Sequence, residues 1–438
     1  MAFLIFKHNK RNCILNTLEQ LRSGQLVGAK RLQLVEQLDS FPAEIFTLHD
    51  TLEVLDLSNN QLSDLPDEFA CLSKLKRVFL SFNQFKHIPP VLAKCPALVM
   101  IAFKGNQISE FTEHSLPLTT QWLILTDNCI EQLPESFGEL TQLRKLALAG
   151  NKIPCLPQSM QHCQALELVR LSANKLTHID NWLFELPKLT WLAFAGNDFN
   201  KSQSLQNAAL EQAKLNEFTL LKQIGEGASG IIHLADWQQQ SVALKLFKGA
   251  ITSDGYPLDE VNCCLQAGVH TNLIKVLAYI DTPEQLGLVM ELISQDYQNL
   301  GLPPSLETCT RDTFPEHTHF SAQAIEHIVK QMVSSLAHLH TNKVSHGDVY
   351  AHNMMINDEY KVLFGDFGAA TNLDSLTDYQ RLQMQMIEVR AIGCLMDDLL
   401  NVCDETNATV VKLQHIAAQC MNREITLRPN LSTLSALL

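Results

Sequence analysis

Glycine and proline are scarce in this chain, 18 and 16 among 438 residues, and aromatics make up only 7%. Those shortages exclude collagen-like and proline-rich low-complexity architectures. Basic side chains are also short, 33 against 47 acidic ones, for a net charge of −14. That balance argues against a general nucleic-acid binder, which must neutralise phosphates. The twelve cysteines form no Cys-x-x-Cys pair and no His/Cys cluster at zinc spacing. Their scatter reads as reduced, buried thiols. No apolar run approaches the roughly 18–20 residues of a membrane span. The apolar start of MAFLIFKHNKRNC turns basic too soon for a secretory leader. A soluble, cytoplasmic protein with no membrane or nucleic-acid partner is expected. With 46% apolar residues, it has ample material for two or three cores.

The acidity is not evenly spread. Residues 1–215 carry 20 basic and 21 acidic side chains, and residues 216–438 carry 13 and 26. The first part also holds 40 leucines in register. Asn60, Asn83, Asn106, Asn128, Asn151, Asn174 and Asn197 recur every 22 or 23 residues. An apolar pair precedes each by five and three positions, as in Leu55/Leu57 and Leu123/Leu125, and an apolar residue follows at plus two. Leu32, Leu34 and Phe41 mark a degenerate first unit.

This pattern resembles the leucine-rich repeat. One turn of such a solenoid cannot bury its own apolar edge, so stacked turns share a core, with a short parallel strand from each. The asparagine is expected to satisfy backbone groups where the chain leaves the strand. Alternate strand positions should face out from the concave side. Phe79, Met100, Trp122 and Ile124 fall there and are expected to meet a protein partner. Trp191, in the last unit beside Ala193 and Ala195, is expected to pack on the next domain. The polar stretch from about 200 to 217 reads as a capping helix or connector.

Beyond it the patterning turns strand-like. Gly225-x-Gly227-x-x-Gly230 alone is weak evidence, since a dinucleotide site would need an acid about 20 residues on. Position 245 is instead a lysine, in Val-Ala-Leu-Lys. Then come Glu260, the segment LGLVMELI, His346-Gly347-Asp348 with Asn353 five residues after the aspartate, and Asp366-Phe367-Gly368. In this order, residues 216–438 resemble the eukaryotic-type protein kinases. The whole chain looks like the bacterial leucine-rich-repeat protein kinases. The implied architecture is an α/β repeat solenoid over 1–215 followed by an α+β bilobal kinase-like domain over 216–438.

The resemblance implies an ATP- and Mg²⁺-dependent protein kinase, acting on serine or threonine, whose solenoid binds substrate or regulator. Gly225, Gly227, Gly230, Ile232, Ala243, Lys245, Glu291 and Leu292 form the implied nucleotide set. Met290 falls at the gatekeeper position. Glu260 is the implied partner of Lys245, with Asp259 its rival. Asp348 is the implied catalytic base, and Asn353 and Asp366 the implied metal ligands. The insert 303–320, with His317 and His319, reads as a surface loop.

Three departures matter. Gly347 stands where the family's arginine usually precedes the catalytic aspartate, which predicts activity without activation-loop phosphorylation. No Ala-Pro-Glu comes after Asp366-Phe367-Gly368, so Arg428 lacks its usual glutamate. Tyr350 occupies the position that in serine/threonine kinases usually holds lysine. The same departures fit a small-molecule phosphotransferase of the aminoglycoside- or choline-kinase type, or a nucleotide-binding scaffold without catalysis.

Overall fold

In a computed structural model the described residues are 15–201, 205, 210–227, 229–249, 251–252 and 254–438. The apolar N-terminal run and residues 202–204 and 206–209 of the connector lie outside them. The chain forms two compact units that divide between Leu186 and Pro187.

The first unit opens with helix α1 (Leu18–Arg22), capped by Thr17 and Gln20. Seven three-residue strands come next: β1 (Arg31–Gln33), β2 (Val54–Asp56), β3 (Arg77–Phe79), β4 (Met100–Ala102), β5 (Trp122–Ile124), β6 (Lys145–Ala147) and β7 (Leu168–Arg170). They pair in parallel and in register, so that Arg31, Val54, Arg77, Met100, Trp122, Lys145 and Leu168 form one row. Short 3-10 turns such as Asp67–Cys71 and Glu135–Glu139 return the chain between strands, and helix α2 (Asn181–Phe184) closes the unit.

The asparagines form the expected ladder. Asn128 donates to the carbonyls of Phe103 (2.9 Å) and Leu125 (3.0 Å) and accepts from the Ile108 N–H (3.0 Å). Asn83, Asn106, Asn151 and Asn174 repeat the pattern. Each is buried, so its bonds are made where water cannot compete. The sequence pattern did not disclose that the residue before each asparagine has positive φ: Asn59, Phe82, Gly105, Asp127, Gly150, Ala173 and Gly196. Only some are glycine. Phe82 and Ala173 hold a conformation that L side chains rarely adopt, and the bonds of the next residue, asparagine, hold them there.

On the outward row Phe79, Trp122 and Ile124 are half-buried. Lys145 places its ammonium 4.3 Å from the centre of the Trp122 ring. Met100 departs from expectation: it is only 3% exposed, in register between the larger Arg77 and Trp122, and offers no surface to a partner.

The second unit begins at Pro187, before the boundary expected near 215. Residues 187–201 continue the repeat's sequence pattern, with strand β8 (Trp191–Ala193), and group with the second unit. Next come β9 (Glu211–Gln212), β10 (Thr219–Glu226), β11 (Gly230–Trp237), β12 (Gln240–Phe247), helix α3 (Pro257–Ala267), β13 (Val276–Asp281) and β14 (Leu286–Glu291). The sheet order is β10-β11-β12-β14-β13-β9, antiparallel except for β9 on β13. Phe218, Trp237, Val242, Leu244, Ile280 and Val289 fill its core.

The remainder is mainly helical. β15 (Gln298–Asn299) precedes helix α4 (Ala322–Thr341), which buries Ile325, Ile328, Val329, Met332, Val333, Leu336 and Leu339 on the face that its spacing predicts. Four short strands come after it: β16 (Val344–Ser345), β17 (Met354–Ile356), β18 (Val362–Phe364) and β19 (Thr371–Asn372). Helices α5 (Asp378–Leu400), α6 (Ala408–Cys420) and α7 (Leu431–Leu437) complete the unit, each started by a side-chain cap, Thr377, Asn407 and Asn430. Among the described residues no helix is long and apolar enough to cross a membrane.

Candidate active site

The glycine-rich segment is the β10–β11 hairpin. Gly225 pairs with Ile232, and the Gly227 N–H donates to the Gly230 carbonyl at 2.9 Å. Gly230 lies hard against β12, where a Cβ would come 2.6 Å from the Leu246 carbonyl oxygen. Ile232 sits opposite Lys245 on β12, and Ala243 opposite Met290 on β14. Glu291 and Leu292 lie at the end of β14, with the Glu291 N–H bonded to Lys275. The eight implied nucleotide residues thus fall on two adjacent hairpins and the strand beside them.

Lys245 is 8% exposed, and its ammonium donates to Glu260 on α3. Glu260, rather than Asp259, is therefore its partner. Burial works against the ammonium, but the Glu260 and Asp366 charges outweigh it and hold Lys245 above its ordinary value. The lysine is a fixed buried cation.

Asp348 and Asn353 are joined within one loop. The Asn353 amide donates to the Asp348 carboxylate (2.8 Å) and to its main-chain carbonyl (3.0 Å). Asp366 caps a short turn in the left-handed region (φ 58°) and accepts from the Gly368 N–H at 3.3 Å. His346 is fully buried and stacks on Phe364 at 3.8 Å. Its Nε2 donates to the Gly365 carbonyl (2.9 Å), so the loop bearing Asp348 is tied to the turn bearing Asp366. Burial holds the His346 imidazole below its ordinary value, and it is neutral.

Glu388 on α5 accepts from the N–H groups of His346 (2.7 Å) and Gly347 (2.8 Å) and from His340 (2.6 Å). Burial pushes its carboxyl up, but those bonds outweigh burial and hold it below its ordinary value.

Two anchors escaped the sequence reading. Asp312 accepts from the Ala351 N–H (2.6 Å) and from His352 (2.7 Å), and Arg311 beside it pairs with Asp397 and Asp398 at 2.7 Å each. The insert 303–320 is therefore not merely a surface loop; its centre is buried and holds the loop of Asp348. Nothing local in a polar insert marks such a contact. Tyr350 is the second. It is buried, stacked flat on Trp191 with ring centres 4.4 Å apart, so the residue two after Asp348 turns away from the site. Trp191 packs as its sequence context implied.

The oxygen donors fit a hard divalent cation. The Asn353 amide nitrogen is engaged by Asp348, which leaves its Oδ1 as the oxygen donor, and Asp366 is exposed.

Parts of the chain are similar to known proteins. Residues 218–387 match the protein kinase domain model, and residues 30–85 match the leucine rich repeat model. A Dictyostelium discoideum protein described as a probable serine/threonine-protein kinase is 29% identical over 191 residues, covering 41% of this chain and 35% of that protein. Cyclin-dependent kinase 2 of Caenorhabditis elegans is 27% identical over 169 residues, covering 37% of this chain and 43% of that one. The chain thus spans less than half the length of these relatives. A leucine-rich-repeat protein structure from Leptospira interrogans shares 24% identity over 40% of this chain and 50% of its own, with a TM-score of 0.34. The chain carries a leucine-rich-repeat region and a protein kinase domain.

Proposed function

We propose that this protein is an ATP-dependent protein kinase, acting on serine or threonine hydroxyls, whose repeat unit binds the substrate or a regulatory protein. The observation that carries the reading is the buried Lys245–Glu260 pair, together with an Asp348 carboxylate fixed by Asn353 and tied through His346 to the Asp366 turn. Lys245 supplies fixed positive charge for the nucleotide phosphates. The carboxylate of Asp348 is oriented to accept the proton of an incoming hydroxyl and to aim it in line. Such catalysis is mostly positioning and charge neutralisation. Asn353 and Asp366 are the residues to hold Mg²⁺, which when bound neutralises charge on the phosphate oxygens.

Phe79, Trp122 and Ile124 are the side chains proposed to meet the partner protein. The excess acid of residues 216–438 favours basic substrates.

A radiolabelled-ATP assay tests the reading, comparing wild type with Lys245→Met and Asp348→Asn. Label on protein that disappears in both variants is expected. Intact ATP binding without transfer to protein would point to a scaffold, and label on small molecules alone to the other phosphotransferase class. Alanine at Trp122 and Phe79 is expected to lower partner recovery in a pull-down.

A further inference from the structure

The turn Pro187–Asn197 is a repeat by sequence, yet it is wrapped around the catalytic loop. Trp191 is only 2% exposed; its Nε1 donates to the Val349 carbonyl (3.1 Å), and its ring covers Tyr350 at an interplanar angle of 8°. Tyr350 also meets His352, ring centres 4.9 Å apart, and His352 ends on Asp312. The residues around Asp348 are thus held both by the repeat turn and by the insert.

The same turn touches three further elements. The Phe194 N–H donates to Thr371 Oγ1 (3.3 Å), just beyond the Asp366 turn. Gly196 is packed so closely against α3 that a Cβ would lie 2.5 Å from an Asp259 carboxylate oxygen, one residue from Glu260. Arg428 donates to the carbonyls of Pro187 (2.8 Å), Asn422 (2.8 Å) and Met386 (3.0 Å), with no carboxylate among these partners. Burial, and then the Arg390 charge, bring Arg428 down to about 10.

Gly347 lies under the same turn. Its φ is +71°, and a Cβ there would lie 2.6 Å from the Ala369 carbonyl oxygen and 2.9 Å from that of Leu192. The Ala369 carbonyl and the Leu192 carbonyl of the repeat turn together occupy the space in which an arginine side chain would have to start.

We propose that Pro187–Asn197 is a built-in brace of the catalytic loop, with Trp191 as its positioning residue. The brace orders the loop of Asp348 without a phosphorylated activation segment. The proposal rests on the protein-kinase reading. Trp191 touches neither reacting group; it acts through Val349 and Tyr350.

The test uses the full chain, with Trp191→Leu, which keeps apolar bulk but loses the plane and the N–H, and Trp191→Phe, which restores the plane. Transfer kinetics and amide hydrogen exchange are measured on both. The expected result for Trp191→Leu is a fall in kcat of about tenfold or more, KM for ATP within about twofold of wild type, and faster exchange confined to 346–353 and 369–372. Trp191→Phe is expected to recover most of kcat. An unchanged kcat in Trp191→Leu overturns the brace. So does a loss in which KM for ATP rises in parallel and protection falls throughout the unit, because that marks an ordinary core residue. If Trp191→Leu does not fold, Trp191→Met, apolar and unbranched but without the plane or the N–H, decides by exchange at Val349–Ala351, where faster exchange supports the brace and unchanged exchange overturns it. A wild type that binds ATP but transfers nothing defeats the kinase reading instead, and the exchange pattern still decides the brace.

Discussion

In the repeat unit Asn128 closes its bonds with groups no more than 25 residues away, and the next asparagine, Asn151, reaches 26 one turn later. In the catalytic unit Asp312 reaches 40 residues to His352, Glu388 reaches 42 to His346, and Trp191 reaches 158 to Val349. The first unit is many copies of one local solution, and damage to one copy is shared with its neighbours. The second is a single arrangement with no spare. Chemistry needs groups fixed to within a fraction of an ångström, and here contacts between distant segments add to the local Asn353–Asp348 bonds in supplying that rigidity.

The sharpest way to break the contrast is to change one residue of each kind. Asp348→Asn should lower phosphoryl transfer by about 10²- to 10⁴-fold, with the fold intact by circular dichroism. Asn128→Ala should leave transfer unchanged. It strands the Ile108 N–H in a dry core, while the Phe103 and Leu125 carbonyls keep donors in Asn106 and Asn151, so it should cost about 1–3 kcal/mol for an unsatisfied group, read by denaturant unfolding of the repeats. A loss of transfer in Asn128→Ala would mean that the two kinds of contact are not separable.

Acid separates the units more gently. His346 is held below its ordinary 6.5, so the folded state binds its proton less readily than the unfolded chain does. Its contribution is therefore present above 6.5 and is lost as the pH falls from there toward the lowered folded value. Glu388, held below 4.5, contributes above 4.5 and loses that contribution as the pH falls through its lowered value. Acidification from about pH 7.5 to 5 should weaken the catalytic unit by at most about 1.4 kcal/mol per pH unit for each titrating group. His346→Asn should flatten the upper part of that slope. The smallest effect is expected at Lys145→Ala, which removes the cation over Trp122 at a cost of about 0.5–1 kcal/mol. Comparing denaturation of wild type and variant checks it.

Much of this was legible in the sequence because it is local. The asparagine interval announced the solenoid, and the order of Lys245, Glu260, Asp348, Asn353 and Asp366 announced the kinase domain. The helical spacing of Ile325 to Leu339 found the buried face of α4. What stayed hidden depended on who the neighbours are. Met100 was expected on the surface because strand alternation places it there; the size of Arg77 and Trp122 beside it decides otherwise. Asp312 looked like one more acid in a polar insert. Positive φ at Phe82 and Ala173 was invisible because neither residue type asks for it. Trp191 was legible as a packing residue, but that its cover is the tyrosine two residues after Asp348 was not.

The small strand β9 has a consequence of another kind. Glu211 and Gln212 pair with Ala278 and Tyr279, the Ala213 N–H adds a bond to Tyr279, and the Gln212 side chain reaches the Asp281 carbonyl. These few residues occupy the outer edge of β13, which would otherwise present a row of open donors and acceptors to any passing strand. A kinase fragment cut at 215, where the composition changes, would lose that cover as well as Trp191. It should self-associate edge to edge as its concentration rises, more readily than the full chain, which keeps Glu211–Ala213 on that edge.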